Sequence, residues 1–162
     1  MVVAFIGHRK VKDKEALVGR IYDTLTELVE NEGADTFLFG DKGEFDKLCH
    51  IVVTEMQKIY PHIRRVYVRA EKEEFDKFCE ELLLKSYEET YYPDRVRSSH
   101  ELCYVLRNAC MIECCDVLLT YCDPNYEPPR KATKSKKSKS GTQMAVEYAK
   151  KRKTRVINLF EN

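Results

Sequence analysis

The amino-acid sequence predicts an α/β fold, because short apolar runs alternate along the chain with longer segments whose apolar residues recur at helical spacing. The short runs are continuous, as is typical of strands buried on both faces. They occupy residues 2–6, 36–39, 65–69, 116–121 and 155–159. Strands that alternate with helices form parallel units with right-handed crossovers. We therefore predict a three-layer Rossmann-like fold, in which helices flank both faces of a mostly parallel five-stranded sheet with the strand order 3-2-1-4-5.

The predicted helices follow from the apolar stripes between these runs. In the first of them, Leu17, Ile21 and Leu25 recur every fourth residue and so lie on one helical face. The fourth opens with Ser98-Ser99-His100-Glu101, which reads as a capping box. Residues 85–97 are aromatic and polar and are interpreted as a connector. The five predicted helices cover residues 13–31, 45–59, 75–83, 98–112 and 141–152.

Length and charge restrict the class of protein. The 162 residues suit one domain over 1–162, and the 43% apolar and 34% charged residues are typical of a soluble globular protein. Lys and Arg number 28 against 27 Asp and Glu, a net charge of +1 that favours neither nucleic acid nor membranes as a partner. No stretch approaches the roughly 20 apolar residues of a membrane span. We expect a cytoplasmic protein.

Seven cysteines, an odd number, favour a reducing compartment over a secreted disulfide framework. Cys110 and Cys114 share a helical face at i, i+4, and with Cys115 they suggest a metal site. No second cluster of Cys or His completes the four ligands that a structural metal needs. We therefore predict structural thiols, no metal and no cofactor.

One low-complexity segment stands out, between the fourth strand and the fifth helix. Residues 128–140 carry six basic residues and no acidic one, without apolar periodicity. Such a composition buries too little apolar surface to offset the entropy of ordering the chain. The sequence predicts a mobile basic loop over about 124–140.

Open parallel sheets bind ligands beyond the carboxyl ends of their strands, near the point where the strand order reverses. Glycine turns allow close backbone approach there, and a helix N-terminus offers free N–H groups and the positive end of a dipole. The residues predicted to bind a ligand at this edge are Gly7, His8, Arg9, Gly40, Gly43, Asp46, Ser140, Gly141 and Thr142.

Several of these residues belong to longer patterns. These are Phe5-Ile6-Gly7-His8-Arg9, the run Phe39 to Asp46, Arg107-Asn108 with Met111-Ile112 before residues 116–118, and Ser140-Gly141-Thr142-Gln143-Met144-Ala145-Val146-Glu147-Tyr148-Ala149. Together they resemble the SLOG superfamily, which unites DprA/Smf-like domains with the LOG phosphoribohydrolases. Within it, the chain is most similar to the small bacterial YpsA/YspA-like proteins. The resemblance spans residue 2 to about 159 and implies a Rossmann-like fold with a site for nucleotides or their derivatives.

The resemblance argues against LOG-type catalysis. In the LOG enzymes a Pro-Gly-Gly-x-Gly-Thr-x-x-Glu motif closes the site, and its Glu serves cleavage of a base from a ribose monophosphate. Here Gly141 and Thr142 remain, but Ser138 and Lys139 stand where the paired glycines would be, and Ala145 stands in place of the Glu. Cleavage through an oxocarbenium-like state needs a carboxylate near the sugar. The candidate replacements are Glu44, Asp46 and Glu147.

Three hypotheses follow for function. The leading one is a sensor or regulatory module that binds a nucleotide-derived phosphorylated ligand, with Arg9 and the N–H groups of Gly141 and Thr142 on the phosphate and Asp46 on a sugar hydroxyl. The second is a nucleotide N-glycoside hydrolase with a relocated carboxylate. The third is binding of single-stranded nucleic acid through the Lys-rich loop, which the near-zero net charge disfavours. The sequence leaves a homo-oligomer open.

Overall fold

A computed structural model describes residues 1–40, 43–70, 77–97, 102–127 and 139–160. Within these residues the chain is an α/β fold whose strands are β1 (Val2–Gly7), β2 (Thr36–Phe39), β3 (Arg64–Val68), β4 (Glu89–Tyr91), β5 (Val117–Tyr121) and β6 (Arg155–Asn158). The helices are α1 (Lys14–Glu32), α2 (Glu44–Met56), α3 (Lys77–Leu83), α4 (Asp94–Arg97), α5 (Cys103–Cys114) and α6 (Gly141–Arg152). The predicted capping box at 98–101 and most of the basic segment, 128–138, lie outside the described residues.

The strands form one parallel sheet in the order β4-β3-β2-β1-β5-β6. The prediction of a Rossmann-like α/β fold is confirmed, and the five predicted strands stand in the predicted order. A sixth strand, Glu89–Tyr91, adds to the edge beside β3, in the segment that was interpreted as a connector. It escaped prediction because it is three residues long and carries no apolar run. The order of the strands reverses between β1 and β5, where Gly7 pairs with Tyr121.

Two layers of apolar side chains hold the sheet between its helices. Successive residues of a strand point to opposite faces, so Phe5 packs with the core under α1 and α2 while its neighbours Ala4 and Ile6 pack toward α5 and α6. The Phe5 ring lies 5.9 Å from Phe37 and 4.8 Å from Phe39, between ring centroids. Burying each such ring contributes roughly 1.5–3 kcal/mol. This packing fixes where the carboxyl end of each strand emerges.

Local signals set the ends of the first helix. Asp13 caps α1 by accepting a hydrogen bond from the Ala16 N–H at 3.3 Å, and Gly33 ends it in the left-handed conformation at φ 70°. Among the described residues, no helix combines the length and the hydrophobicity that a membrane span requires.

Candidate functional site

His8 lies where β1 leaves the sheet, beside the end of β5. Its backbone N–H donates to the Tyr121 carbonyl at 3.0 Å, and its ring centroid lies 4.3 Å from that of Tyr126. The side chain is only 5% exposed, yet its Nε2 atom has no hydrogen-bond partner in the part of the chain that the structure describes. Buried polar atoms almost always have partners, so an exception at a strand end calls for an explanation.

The electrostatic setting of His8 decides what its ring can bind. Burial lowers the pKa of His8 below its ordinary value, and a hydrogen bond to the Asp123 backbone and the Asp123 charge only partly oppose this. The ring is therefore neutral at pH 7. In a neutral imidazole, one ring nitrogen carries the proton and the other is a hydrogen-bond acceptor. With the proton on Nδ1, Nε2 is the acceptor.

Gln143 joins the loop after β5 to the start of α6. The Ser140 Oγ accepts the Gln143 N–H at 3.1 Å, and the Gln143 Oε1 accepts the Ser140 N–H at 2.8 Å, which completes a capping box. The Gln143 Nε2 also donates to the Tyr126 carbonyl at 3.0 Å. The Gln143 side chain thereby connects the N-terminus of α6 to Tyr126, whose ring packs on His8.

Two amides at the start of α6 remain available. The backbone N–H groups of Gly141 and Thr142 find no acceptor among the described residues, since Ser140 takes the N–H of Gln143 instead. Gly141 is exposed and Thr142 is buried. Free amides at a helix N-terminus, at the positive end of its dipole, suit an anion.

Arg9, the residue after His8, meets Gly43 at the start of α2. Gly43 has φ 108°, in the region that favours glycine, and a Cβ there would lie 2.6 Å from the Arg9 Cα. The Glu44 N–H donates to the Arg9 carbonyl at 2.9 Å. The Arg9 side chain is exposed. The structure thus brings Arg9 and Gly43 together and links Gly141 to His8 through Gln143 and Tyr126, all at the carboxyl edge of the sheet.

Gly7 and Gly40 make room for side chains of the protein itself. A Cβ on Gly7 would lie 2.3 Å from the Phe45 ring, and one on Gly40 would lie 2.1 Å from the Arg107 Nη1. Arg107 is 4% exposed and donates to the Gly40 carbonyl at 2.6 Å. Packing therefore accounts for both glycines, and their role toward a ligand stays a prediction. Arg107 was not among the predicted site residues, because a single cation in an apolar helix gives no sign of its partner.

The three candidate carboxylates do not converge. Glu44 accepts from the Val11 N–H at 3.0 Å and from Lys14 at 2.8 Å, and the hydrogen bond from Lys14 lowers the pKa of Glu44. Glu147 pairs with Lys139 at 2.5 Å, which lowers the pKa of Glu147. Neither suits a general acid, which needs a raised pKa. Asp46 is buried on α2, whereas Glu147 lies on α6.

A groove of about 380 Å³ runs between α5 and α6 and opens beside the start of α6. Apolar surface dominates its lining. Its lining includes Asn108, Ile112, Gly141, Ala145, Glu147 and Tyr148. Ala145, which stands at the position of the LOG carboxylate, therefore faces a cavity that its neighbour Glu147 also lines.

The described residues contain no group of three or more His, Cys, Asp or Glu side chains placed to hold a metal ion. Of the six cations in the basic segment, only Lys139 falls within the described residues. Comparison with the known protein families and with the curated proteins gives no match for this chain. The similarity to the SLOG superfamily therefore rests on the sequence motifs alone.

Proposed function

We propose that the protein is a sensor or regulatory module that binds a phosphorylated, nucleotide-like ligand at the edge formed by β1, β5 and the start of α6. The observation that carries the proposal is the Nε2 atom of His8, which is buried and has no partner among the described residues, at the point where the strand order reverses. In open parallel sheets this point is where ligands enter. A ligand that donates a hydrogen bond to Nε2 removes the cost of the unpaired atom.

The phosphate of such a ligand binds at the start of α6. The N–H groups of Gly141 and Thr142 have no acceptor in the part of the chain that the structure describes, and the helix dipole adds a favourable field for an anion. Arg9, exposed beside Gly43, supplies a guanidinium that pairs with phosphate oxygens in a bidentate manner. Together these groups neutralise the charge of the phosphate locally, so the protein needs no large positive net charge to bind it.

The remainder of the ligand meets His8 and Tyr126. A neutral imidazole with a free acceptor nitrogen favours a hydroxyl or amino donor over a phosphate oxygen. Tyr126 is 38% exposed and offers a ring on which a base stacks. Ribose hydroxyls and exocyclic amines are such donors, and nucleotides combine them with a phosphate and an aromatic base.

Isothermal titration with adenosine and guanosine monophosphates, against the matching nucleosides and inorganic phosphate, tests the proposal. Gly141→Pro removes one N–H at the first helical position, where proline is well tolerated, while Gly141→Ala keeps that N–H. A charged hydrogen bond contributes roughly 1.5–3 kcal/mol, so we expect Gly141→Pro to weaken nucleotide binding by roughly 10- to 100-fold. Gly141→Ala should bind as the wild type does.

Arg9→Ala provides a second arm, with Lys10→Ala as a control that removes the same charge one residue further along the chain. We expect only Arg9→Ala to weaken binding. Absence of binding by the wild-type protein, or equal losses in both charge variants, would contradict a defined phosphate site at Arg9.

The hydrolase hypothesis has one observation in its favour, since Glu147 lines the same groove as Gly141. Incubation with nucleoside monophosphates, followed by chromatography for released base, decides between binding and hydrolysis. Base release that depends on Glu147, and is lost in Glu147→Gln, would replace the sensor with an enzyme.

A further inference from the structure

Two cysteines on α5 form a pair that the nucleotide site does not use. Cys110 and Cys114 are one helical turn apart, a spacing that places Cβ atoms about 5–6 Å from each other on the same face. Cys114 is exposed and Cys110 is half-buried, and neither is in a disulfide. Both sulfurs are therefore within reach of one small ligand at the surface.

Side chains from two neighbouring elements converge on this pair. The Tyr91 hydroxyl from β4 interacts electrostatically with both Cys110 and Cys114. Arg95 of α4 interacts electrostatically with Cys110. Both cysteines thus lie close to polar groups that β4 and α4 present beside α5.

Cys110 is a protonated thiol at neutral pH. Burial raises the pKa of Cys110, and the nearby Arg95 charge only partly opposes the effect. A thiol of this kind is a poor nucleophile, because the thiolate is the reactive form. Binding to a soft ion remains open to it, since the ion displaces the thiol protons as it binds.

We propose that Cys110 and Cys114 form a two-thiol site for a soft, thiophilic centre that takes two sulfur ligands, of which a trivalent organoarsenical is the simplest example. With phenylarsine oxide, two arsenic–sulfur bonds form, the two S–H bonds and the bonds between arsenic and oxygen break, and the oxygen leaves with both protons as water. Arsenic stays trivalent, so no oxidant or reductant takes part. Zinc does not fit, because it requires four ligands and no third side chain of a suitable type completes the group among the described residues.

Cys115 offers a competing pair with Cys114, and the structure disfavours it. Cys115 follows the last turn of α5 in extended conformation, and its sulfur points to the Ile112 carbonyl at 3.6 Å. Burial raises the pKa of Cys115 to about 12. Its sulfur therefore faces inward and does not share a surface with Cys114.

Titration of the full chain with phenylarsine oxide, followed by intact-mass spectrometry and a count of free thiols, tests the site. The wild-type protein should form a one-to-one adduct in which two thiols are protected from iodoacetamide. The second sulfur binds intramolecularly, so losing it should weaken the adduct by roughly 10²- to 10⁴-fold. We expect that loss in Cys110→Ser and in Cys114→Ser, and no loss in Cys115→Ser or Cys103→Ser.

Circular dichroism of every variant shows whether each is folded, and zinc serves as a second probe that should bind weakly or not at all. An adduct that survives in Cys110→Ser but disappears in Cys115→Ser would assign the site to Cys114 and Cys115 and overturn the proposal. Equal binding by all four variants would overturn it as well.

Discussion

The β2 side and the β5 side of the sheet's carboxyl edge differ in how tightly side chains pack there. On the β2 side, Gly40 has no space for a methyl group, because the Arg107 guanidinium occupies it. On the β5 side, a methyl group on Gly141 would meet nothing within 4 Å. The same side holds the Nε2 atom of His8 and the N–H groups of Gly141 and Thr142, none of which has a partner within the described ranges.

This difference shows that glycines at the carboxyl edge of the sheet are not one class. A glycine at this edge serves either the packing of the protein itself or the approach of a ligand, and the two roles predict opposite effects of a small substitution. The β2 half is a packed region in which change costs stability. The β5 half is open, and change there should affect binding more than folding.

The largest effect is expected for Gly40→Ala. Its Cβ would lie 2.1 Å from the Arg107 Nη1 and would force the buried guanidinium from the Gly40 carbonyl. Overpacking combined with disturbance of a buried charge should lower the free energy of unfolding by about 3 kcal/mol. Urea denaturation measures this, with Gly141→Ala as the control that should stay within about 0.5 kcal/mol of the wild type. Equal free energies of unfolding for Gly40→Ala and Gly141→Ala would contradict the distinction between a packed β2 half and an open β5 half.

A smaller effect on stability is expected beside the edge strand β4, where Arg65 of β3 pairs with Glu88 at 2.6 Å. Burial acts to raise the pKa of Glu88, but hydrogen bonds from Arg65 outweigh it and lower that pKa to about 2. The pair therefore stabilises the fold above the ordinary pKa of 4.5 and loses its effect as the pH falls from 4.5 toward 2. Because the carboxylate is 35% exposed, solvent screening reduces the contribution to about 1 kcal/mol.

Glu88→Gln should accordingly lower the free energy of unfolding by about 1 kcal/mol at pH 7, with a difference from the wild type that shrinks toward pH 2. Urea denaturation at several pH values follows the change. Nucleotide affinity should not change in this variant. A difference that stays constant down to pH 2 would mean that the ion pair is not its source.

The smallest effect on stability is expected for His8→Phe. Replacing the ring removes a buried polar atom without a partner, so the free energy of unfolding should stay within about 1 kcal/mol of the wild type at pH 7. His8 has a lowered pKa in the fold, so the wild type loses stability as the pH falls below 6.5 and the unfolded chain takes up the proton. The variant should lack that loss in thermal unfolding between pH 7 and 5. A large loss of stability at pH 7 would mark His8 as a structural residue.

The fold was largely predictable from the sequence because buried strands and helical stripes leave strong periodic signals. The strand Glu89–Tyr91 gave no periodic signal, since a short edge strand of three partly exposed residues forms through its pairing with β3. The candidate site was predictable only in outline. The sheet topology places His8, Arg9 and Gly141 at the carboxyl edge of the sheet. The hydrogen bond from Gln143 to the Tyr126 carbonyl and the contact of the Tyr126 ring with His8 depend on the conformation of the loop after β5, which no local sequence pattern predicts.

The central claim is that the ligand lies on the β1, β5 and α6 half of the edge, and a nitrogen–proton correlation titration of the labelled protein with adenosine monophosphate and guanosine monophosphate tests it most directly. We expect amide shifts to cluster at His8, Arg9 and Glu44, at residues 122–127 and at 140–143, with little change at 48–56. Shifts confined to residues 48–56 and Arg107, or none with either nucleotide, would contradict the claim.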